Sequence, residues 1–337
     1  LNNRKQFVET AFKNEFNQLI SVNSNLRTVI NGVPQGSILG PILFLCYITG
    51  LPKTVAGKMC LYADDSNLII SNKSLKEIET QSKSNLTSVK NYFSKKNLLL
   101  NLEKTNYILF NTRQNRCSSD LDIEISQVKL TQLDNVKFLG MTLDKNLTWN
   151  EHVNKILNKI ASGLYALRSI SKFCTLDVLK VVYFAHIHSH INFGIVLYGA
   201  TSDQNLQSIL LLQKKAIRII LNLDLRQSVK QYFSELGILT VYSMYILETA
   251  VAVKEAGDRL PVLGSSHSYL TRNRNQFAIP KVNLEFRKKN PLVAGIKFFN
   301  SLPQNIRNIN DIKSFKLKLK NYLLHKTIYS FDEFFFL

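Results

Sequence analysis

Apolar residues recur along the chain with two periods. Leu75, Ile78, Leu86, Val89 and Phe93 fall at helical spacing, with Ser82 in the gap, and a 3.6-residue period of this kind predicts an amphipathic helix. Ser74 followed by Glu77 has the capping-box pattern that opens such a helix, which is expected to end near Asn97. A second, long helix is predicted from Val153, Ile156, Leu157, Ile160, Leu164 and Leu167, opened by another such pattern at Thr148 and Glu151. Short apolar runs bounded by turn-forming residues predict strands over 27–30, 59–63, 68–70 and 106–110, and a strand or hairpin over 136–143 with Gly140 as its kink. The 59–63 and 68–70 strands form a hairpin joined by "DDSN". Residues 38–48 have helix length, with Pro41 acceptable in the first turn. Residues 7–19 are mixed. Beyond Leu167 the pattern is mainly helical, with its clearest break at 257–274.

Composition narrows what such elements can be. With 337 residues, 45% of them hydrophobic, and 20 Phe and 13 Tyr, the chain can bury a sizeable core and is not disordered. The longest apolar run, 38–48, contains Gly40 and Pro41 and falls short of the about 20 residues a bilayer span needs, so no membrane association is expected. Cys46, Cys60, Cys117 and Cys174 are too far apart for a C-x-x-C site and too few for a disulfide framework. A reducing compartment without zinc is the reading that fits. The chain opens "LNNRKQFVET", with neither an initiator Met nor a secretory apolar core, so its true start is expected upstream.

Charge changes the picture most. Forty-three Lys and Arg against 24 Asp and Glu leave a net charge of +19, which favours a polyanionic partner, nucleic acid, over a merely basic, solvated surface. On duplex DNA each phosphate contacted adds about 0.9 to the slope of log affinity against log salt.

Against this basic background "LYADDSNLII" sets Asp64 and Asp65 side by side between apolar runs. Adjacent carboxylates repel and need a cation or full solvation. A solvated turn explains them, since Asp, Ser and Asn favour turns; so does a hard-metal site at the mouth of a sheet. The pair alone does not choose. His186, His188 and His190 would share one face of a strand, but "VVYFAHIHSHINFG" reads as helix, where only His186 and His190 fall within a turn, so no metal site is expected there.

Four motifs in order decide between the readings. "NGVPQGSILGPILFLCYI", "LYADDSNLII", "NLEKTNYILF" and "VKFLGMTLD" together resemble the palm of reverse transcriptases, most closely those of the LINE-like, jockey-type retrotransposons that lack long terminal repeats. "LTWNEHVNKI", "LQKKAIRII" and "FFNSLPQNIRNI" resemble the thumb and the region after it, so the likeness extends over essentially the whole chain.

The resemblance implies an α+β fold: the C-terminal part of a right-hand polymerase palm with its primer-grip hairpin over 1–145, a thumb-like helical region over 146–200, and a mainly helical basic region over 201–337. It implies RNA-directed DNA polymerase activity on an RNA template, a DNA primer and deoxynucleoside triphosphates, using two Mg²⁺ ions. Asp64 would be the principal metal ligand, with Asp65 serving the second ion, and Lys104 would stabilise or protonate the leaving pyrophosphate. Gln35 and Gly36 would touch template and incoming nucleotide. Tyr62, sharing a face with Asp64, would approach the primer end, and Phe138, Leu139 and Gly140 would form the primer grip. Three basic clusters, Lys214, Lys215 and Arg218, then Arg287, Lys288 and Lys289, then Lys313, Lys316, Lys318 and Lys320, would line a backbone track. A nuclear location is implied by how such elements prime.

One departure stands out. The family needs another metal-ligating aspartate before the "PQGS" segment, and here no Asp precedes Asp64. Only Glu9 and Glu15 lie ahead of that segment, neither in a strand-like apolar setting. The metal cage is therefore expected to be incomplete and this chain inactive by itself; the alternative is a non-catalytic, nucleic-acid-binding remnant of such an element.

Overall fold

The structure is a computed structural model and describes residues 4–29, 32–33, 36–112, 121–263, 276–282 and 290–336. The chain forms two compact units of mixed helix and strand, one from residues 1–107 with 118–132 and the other from 108–117 with 133–337.

The first unit opens with β1 (Lys5–Gln6), β2 (Glu9–Lys13), β3 (Leu19–Asn23) and β4 (Arg27–Thr28), β2 pairing β3 and β1 pairing β4 antiparallel. Every residue of these strands is exposed. The mixed segment is thus a hairpin, and Glu9 sits in a strand beside exposed apolar residues, contrary to expectation; the hydroxyl of Ser21 donates to its carboxylate.

Helix α1 (Leu39–Ile48) forms where its apolar run predicts, with Pro41 in the first turn. Ile48 and the following Leu51 are buried against Val89 and Phe93 of α2 (Leu75–Lys95). Tyr47 and Tyr92 tie the two helices, since the Tyr92 hydroxyl donates to the Tyr47 carbonyl at 3.2 Å. Helix α2 buries Ser82, Asn85, Val89 and Phe93 on one stripe, and Asn85 Oδ1 accepts from the Ala56 amide at 2.8 Å. Ser74 is the residue before its first turn, yet its side chain makes no cap.

Strands β5 (Lys58–Tyr62) and β6 (Asp65–Ile69) follow α1 as an antiparallel hairpin. A parallel pair is formed by β7 (Asn106–Tyr107) and β10 (Thr131–Gln132), and β8 (Glu124–Ile125) pairs with β9 (Val128–Lys129) between them in sequence. The 106–110 strand is therefore only two residues long. Among the described residues all six strand pairs of the chain are separate two-stranded ribbons.

The second unit begins with the hairpin of β11 (Asn135–Phe138) and β12 (Met141–Asp144) and continues as helices. These are α3 (Asn150–Ile170), α4 (Leu176–Tyr183), a π-helical turn over Phe184–His188, α5 (Ser189–Asn192), α6 (Ile195–Tyr198), α7 (Asp203–Leu221), α8 (Lys230–Glu235) and α9 (Val241–Ala256). After the segment 257–290 come α10 (Pro291–Ser301), α11 (Gln304–Arg307), α12 (Ile312–Lys326) and α13 (Phe331–Phe335). One core runs from Met141 to Phe334, so residues 146–200 and 201–337 share it. Helix α9 lies at its centre, buried on nearly every side. Gly295 brings α10 so close that an added Cβ would sit 2.8 Å from the Thr249 carbonyl. Residues 257–274 are accordingly an interruption within one unit, not a break between substructures.

Some polar groups inside this core are matched, while the Tyr245 hydroxyl is buried with no hydrogen-bond partner among the described residues. Gln213, fully buried, donates to the Tyr183 hydroxyl and the Leu239 carbonyl and accepts from the Val241 amide. Burial without such pairing would cost about 1–3 kcal/mol per group.

Candidate functional site

The acidic hairpin differs in register from its sequence reading. Its turn is Ala63 and Asp64, and Asp65, Ser66 and Asn67 belong to β6. The core decides this: Met59 and Leu61 pack against the buried cluster, and the register sets Met59 opposite Leu68 and Leu61 opposite Ser66 on that face. Pairing through "DDSN" as a four-residue loop would break this alignment. Ala63 then adopts φ 50°, a left-handed conformation that costs a non-glycine residue about 1–2 kcal/mol.

This register places the two carboxylates differently. Asp64 stands at the exposed tip, while Asp65 opens β6 directly across from Tyr62. Tyr62 therefore shares a face with Asp65, not with Asp64, and is 63% exposed. Among the described residues neither carboxylate has an ion-pair or side-chain hydrogen-bond partner, so all their oxygens are available to water or a cation. Exposed β6 side chains and an unpaired outer edge leave this face of the hairpin bare among the described residues.

Lys104 lies in the same unit, in a turn before β7. The Asn101 side chain accepts from its amide at 3.1 Å, and its carbonyl accepts from Asn106 Nδ2 at 3.0 Å. Its ammonium is exposed and without an ion pair among the described residues. Gly36 has φ 79° with no atom within 4 Å of an added Cβ, so glycine is required there by backbone conformation and not by space. Gln35 lies outside the described residues, as do Arg287, Lys288 and Lys289.

Phe138, Leu139 and Gly140 belong to the second unit. Leu139 (φ 45°) and Gly140 (φ 84°) are the two turn residues between β11 and β12, the double positive φ of a tight hairpin turn. A Cβ on Gly140 would meet the Phe193 ring at 3.1 Å. The hairpin is fastened to α3 by side chains that periodicity does not reveal. Asp144 accepts from the Asn146, Thr148 and Trp149 amides and from the Thr148 hydroxyl, so it, rather than a Thr148–Glu151 capping box, closes the helix start. Buried His152 accepts from the Thr142 amide at 3.3 Å, and Lys155 donates to the Thr142 hydroxyl at 2.9 Å. Burial, reinforced by Lys155 and Lys159, pushes the His152 imidazole below its ordinary pKa, which suits its role as acceptor.

The basic clusters are partly structural. Lys214 sits 3.9 Å from the centre of the Tyr329 ring, and Arg218 donates to the Gln227 carbonyl. Lys316 is paired with Glu248 at 2.9 Å. Lys313 and Lys318 are exposed on α12.

A metal is the remaining test. Among the described residues no three His, Cys, Asp or Glu side chains gather where a metal ion would be held. Asp64 and Asp65 offer hard oxygen donors of the right kind, but by themselves they do not make a two-ion site.

Comparison with known proteins agrees with the order of the motifs. Residues 4–143 match the family described as Reverse transcriptase (RNA-dependent DNA polymerase). Curated relatives include a probable RNA-directed DNA polymerase from transposon BS of Drosophila melanogaster, 30% identical over 205 residues, and the RNA-directed DNA polymerase from mobile element jockey of the same species, 26% identical over 212 residues; each alignment covers 58% of this chain and 22% of the relative. A probable RNA-directed DNA polymerase from transposon X-element, also of Drosophila melanogaster, is 26% identical over 226 residues, covering 64% of the chain and 24% of the relative. The chain thus spans under a quarter of the length of these relatives. No solved structure matches it.

Proposed function

We propose that the chain is part of an RNA-directed DNA polymerase of a jockey-type, non-LTR retrotransposon, with residues 4–143 contributing the carboxylate-bearing half of the palm and the helices after Asp144 acting as thumb and basic nucleic-acid contact. The observation that carries this reading is the Asp64 tip beside Asp65, exposed and without a side-chain partner among the described residues, on a two-stranded hairpin within a segment that matches the reverse transcriptase family. In it Asp64 and Asp65 serve as metal ligands and Lys104 faces the triphosphate. Gly36, with Gln35, contacts template and nucleotide, Tyr62 the primer end, and the Phe138–Gly140 turn the primer backbone. The partners are an RNA template, a DNA primer and deoxynucleoside triphosphates, and the setting is the nucleus.

Polymerase chemistry of this class is supplied by two bound Mg²⁺ ions. The two aspartates do not complete that site, so a third carboxylate has to join them before synthesis. The alternative, a nucleic-acid-binding remnant, is favoured by that same shortage of ligands. Primer extension with Mg²⁺ separates the two. No synthesis is expected from the 337 residues alone, and synthesis from a longer product carrying an additional aspartate strand, lost on Asp64→Asn. Robust extension by the 337 residues alone overturns the missing-ligand argument, and none from the longer product overturns the polymerase reading.

A further inference from the structure

A cavity of about 230 Å³ opens in the helical unit where the π-helical turn meets α9 and α12; of the candidate site residues only Lys316 and Lys320 of the basic clusters line it. Its floor is apolar and buried: Leu239, Met244 and Leu247. Gly237 borders it in a left-handed conformation, with no atom within 4 Å of an added Cβ. One wall is the π turn itself, an irregularity that recurs at functional sites. There Phe184 and His188 meet edge to face, ring centres 5.1 Å apart.

Polar groups gather at one edge. His188 Nδ1 is buried with no partner among the described residues, which leaves Nε2 as the ring nitrogen available to a ligand. Burial, with the charge of Lys320 adding to it and that of Glu248 opposing it, drops the imidazole to about 4; it is neutral at physiological pH. Asn192 adds an exposed amide. Glu248 and Lys316 meet at 2.9 Å across the rim, while the Lys320 ammonium has no ion-pair partner among the described residues.

The dimensions and chemistry select a ligand class. A dry apolar cavity of about 150 Å³ holds one benzene ring, so this larger one suits a flat bicycle. Aromatic and aliphatic walls, an edge carrying donors and acceptors, and an unpaired cation at the mouth are what an unstacked base with its phosphate requires. We propose that the cavity binds a purine nucleoside 5′-phosphate, base against Phe184 and the Leu239–Leu247 floor, hydrogen-bonding edge toward His188 and Asn192, phosphate on Lys320. Exposed Lys313, seven residues before Lys320 and on the same helix face, is placed to take a neighbouring phosphate if the nucleotide belongs to a strand.

The test uses the full chain with 2-aminopurine riboside 5′-monophosphate in EDTA, so that metal-dependent nucleotide binding does not contribute. Saturable fluorescence quenching is expected, competed by AMP or GMP but not by UMP or inorganic phosphate. Lys320→Ala should weaken it about tenfold, and Leu239→Trp, which fills the floor, should abolish it; circular dichroism confirms that each variant is folded. A uridine oligonucleotide with one internal 2-aminopurine binding about tenfold tighter than the monomer identifies a strand as the source, and equal binding identifies a free nucleotide. Competition by phosphate or UMP as strong as by AMP, or quenching indifferent to Lys320→Ala, overturns the proposal. Because the readout is binding without synthesis, its failure is distinct from failure of the polymerase reading.

Discussion

His188 shows how one residue ties local irregularity to a measurable property. Its pKa in the folded chain, about 4, lies below the ordinary 6.5, so the unfolded chain binds the extra proton first. Stability therefore rises with pH between those two values and falls as pH drops from about 6.5 toward 4. In urea titrations across that window, the midpoint of the wild-type helical unit should fall more steeply than that of His188→Leu. Equal slopes would show that the ring is not held neutral. Nothing in "AHIHSH" announces this: the alternating histidines advertise a shared face, and the helix, widened by a π turn, dissolves it. The aspartates show the opposite case. Their residue types were legible as ligand or turn, but not their register, because Asp, Ser and Asn are all turn formers. Met59 and Leu61 fix the turn one pair earlier through contacts distant in sequence, at the expense of a strained Ala63.

Among elements, amphipathic helices and the β11–β12 segment were readable, and their fastenings were not. Helices α2 and α3 follow their apolar stripes closely, since a half-buried helix writes its period into the sequence. Helix α9, buried nearly all round, carries no such period, and only its length within a helical stretch marks it. Neither capping box formed, because helix starts answer to whichever acceptor tertiary structure supplies, and Asp144 reaches across the loop to supply it for α3. Asp144→Ala leaves three amides and a hydroxyl without that carboxylate. It should destabilise the helical unit by about 2 kcal/mol in urea unfolding, near the upper end for lost caps and the range for charged hydrogen bonds. A change under about 0.5 kcal/mol would mean that water replaces it freely.

At the scale of the molecule the two units manage apolar surface very differently. The helical unit closes one large core. In the first unit α1 is apolar on all sides yet buries only Gly40 and Ile48, leaving Leu39 62% and Ile42 53% exposed. A helix without a polar face belongs in an interior, so this surface calls for a cover. The chain as given should bind a hydrophobic dye such as ANS strongly, and Ile42→Glu should lower that signal by roughly half without loss of far-ultraviolet dichroism. An unchanged signal would place the sticky surface elsewhere. The basic excess was visible in composition, but not its disposition: Lys214 lies over the Tyr329 ring and Lys316 pairs with Glu248, so these two are tied to the fold while others remain open to a polyanion. Which unit the β11–β12 hairpin joins was not visible either, because its partners lie downstream.

That last placement has a practical consequence for dissecting the protein. The β11–β12 ribbon, the Asp144 carboxylate and α3 form a handle whose far end is the Leu139–Gly140 tip. A cloning boundary drawn at residue 145, where motif boundaries invite it, would saw through the handle and leave the tip on a ribbon with nothing to brace it. Kept whole, the same piece makes the tip a passenger of the helices, so that any displacement of α3 is delivered to the turn undiminished.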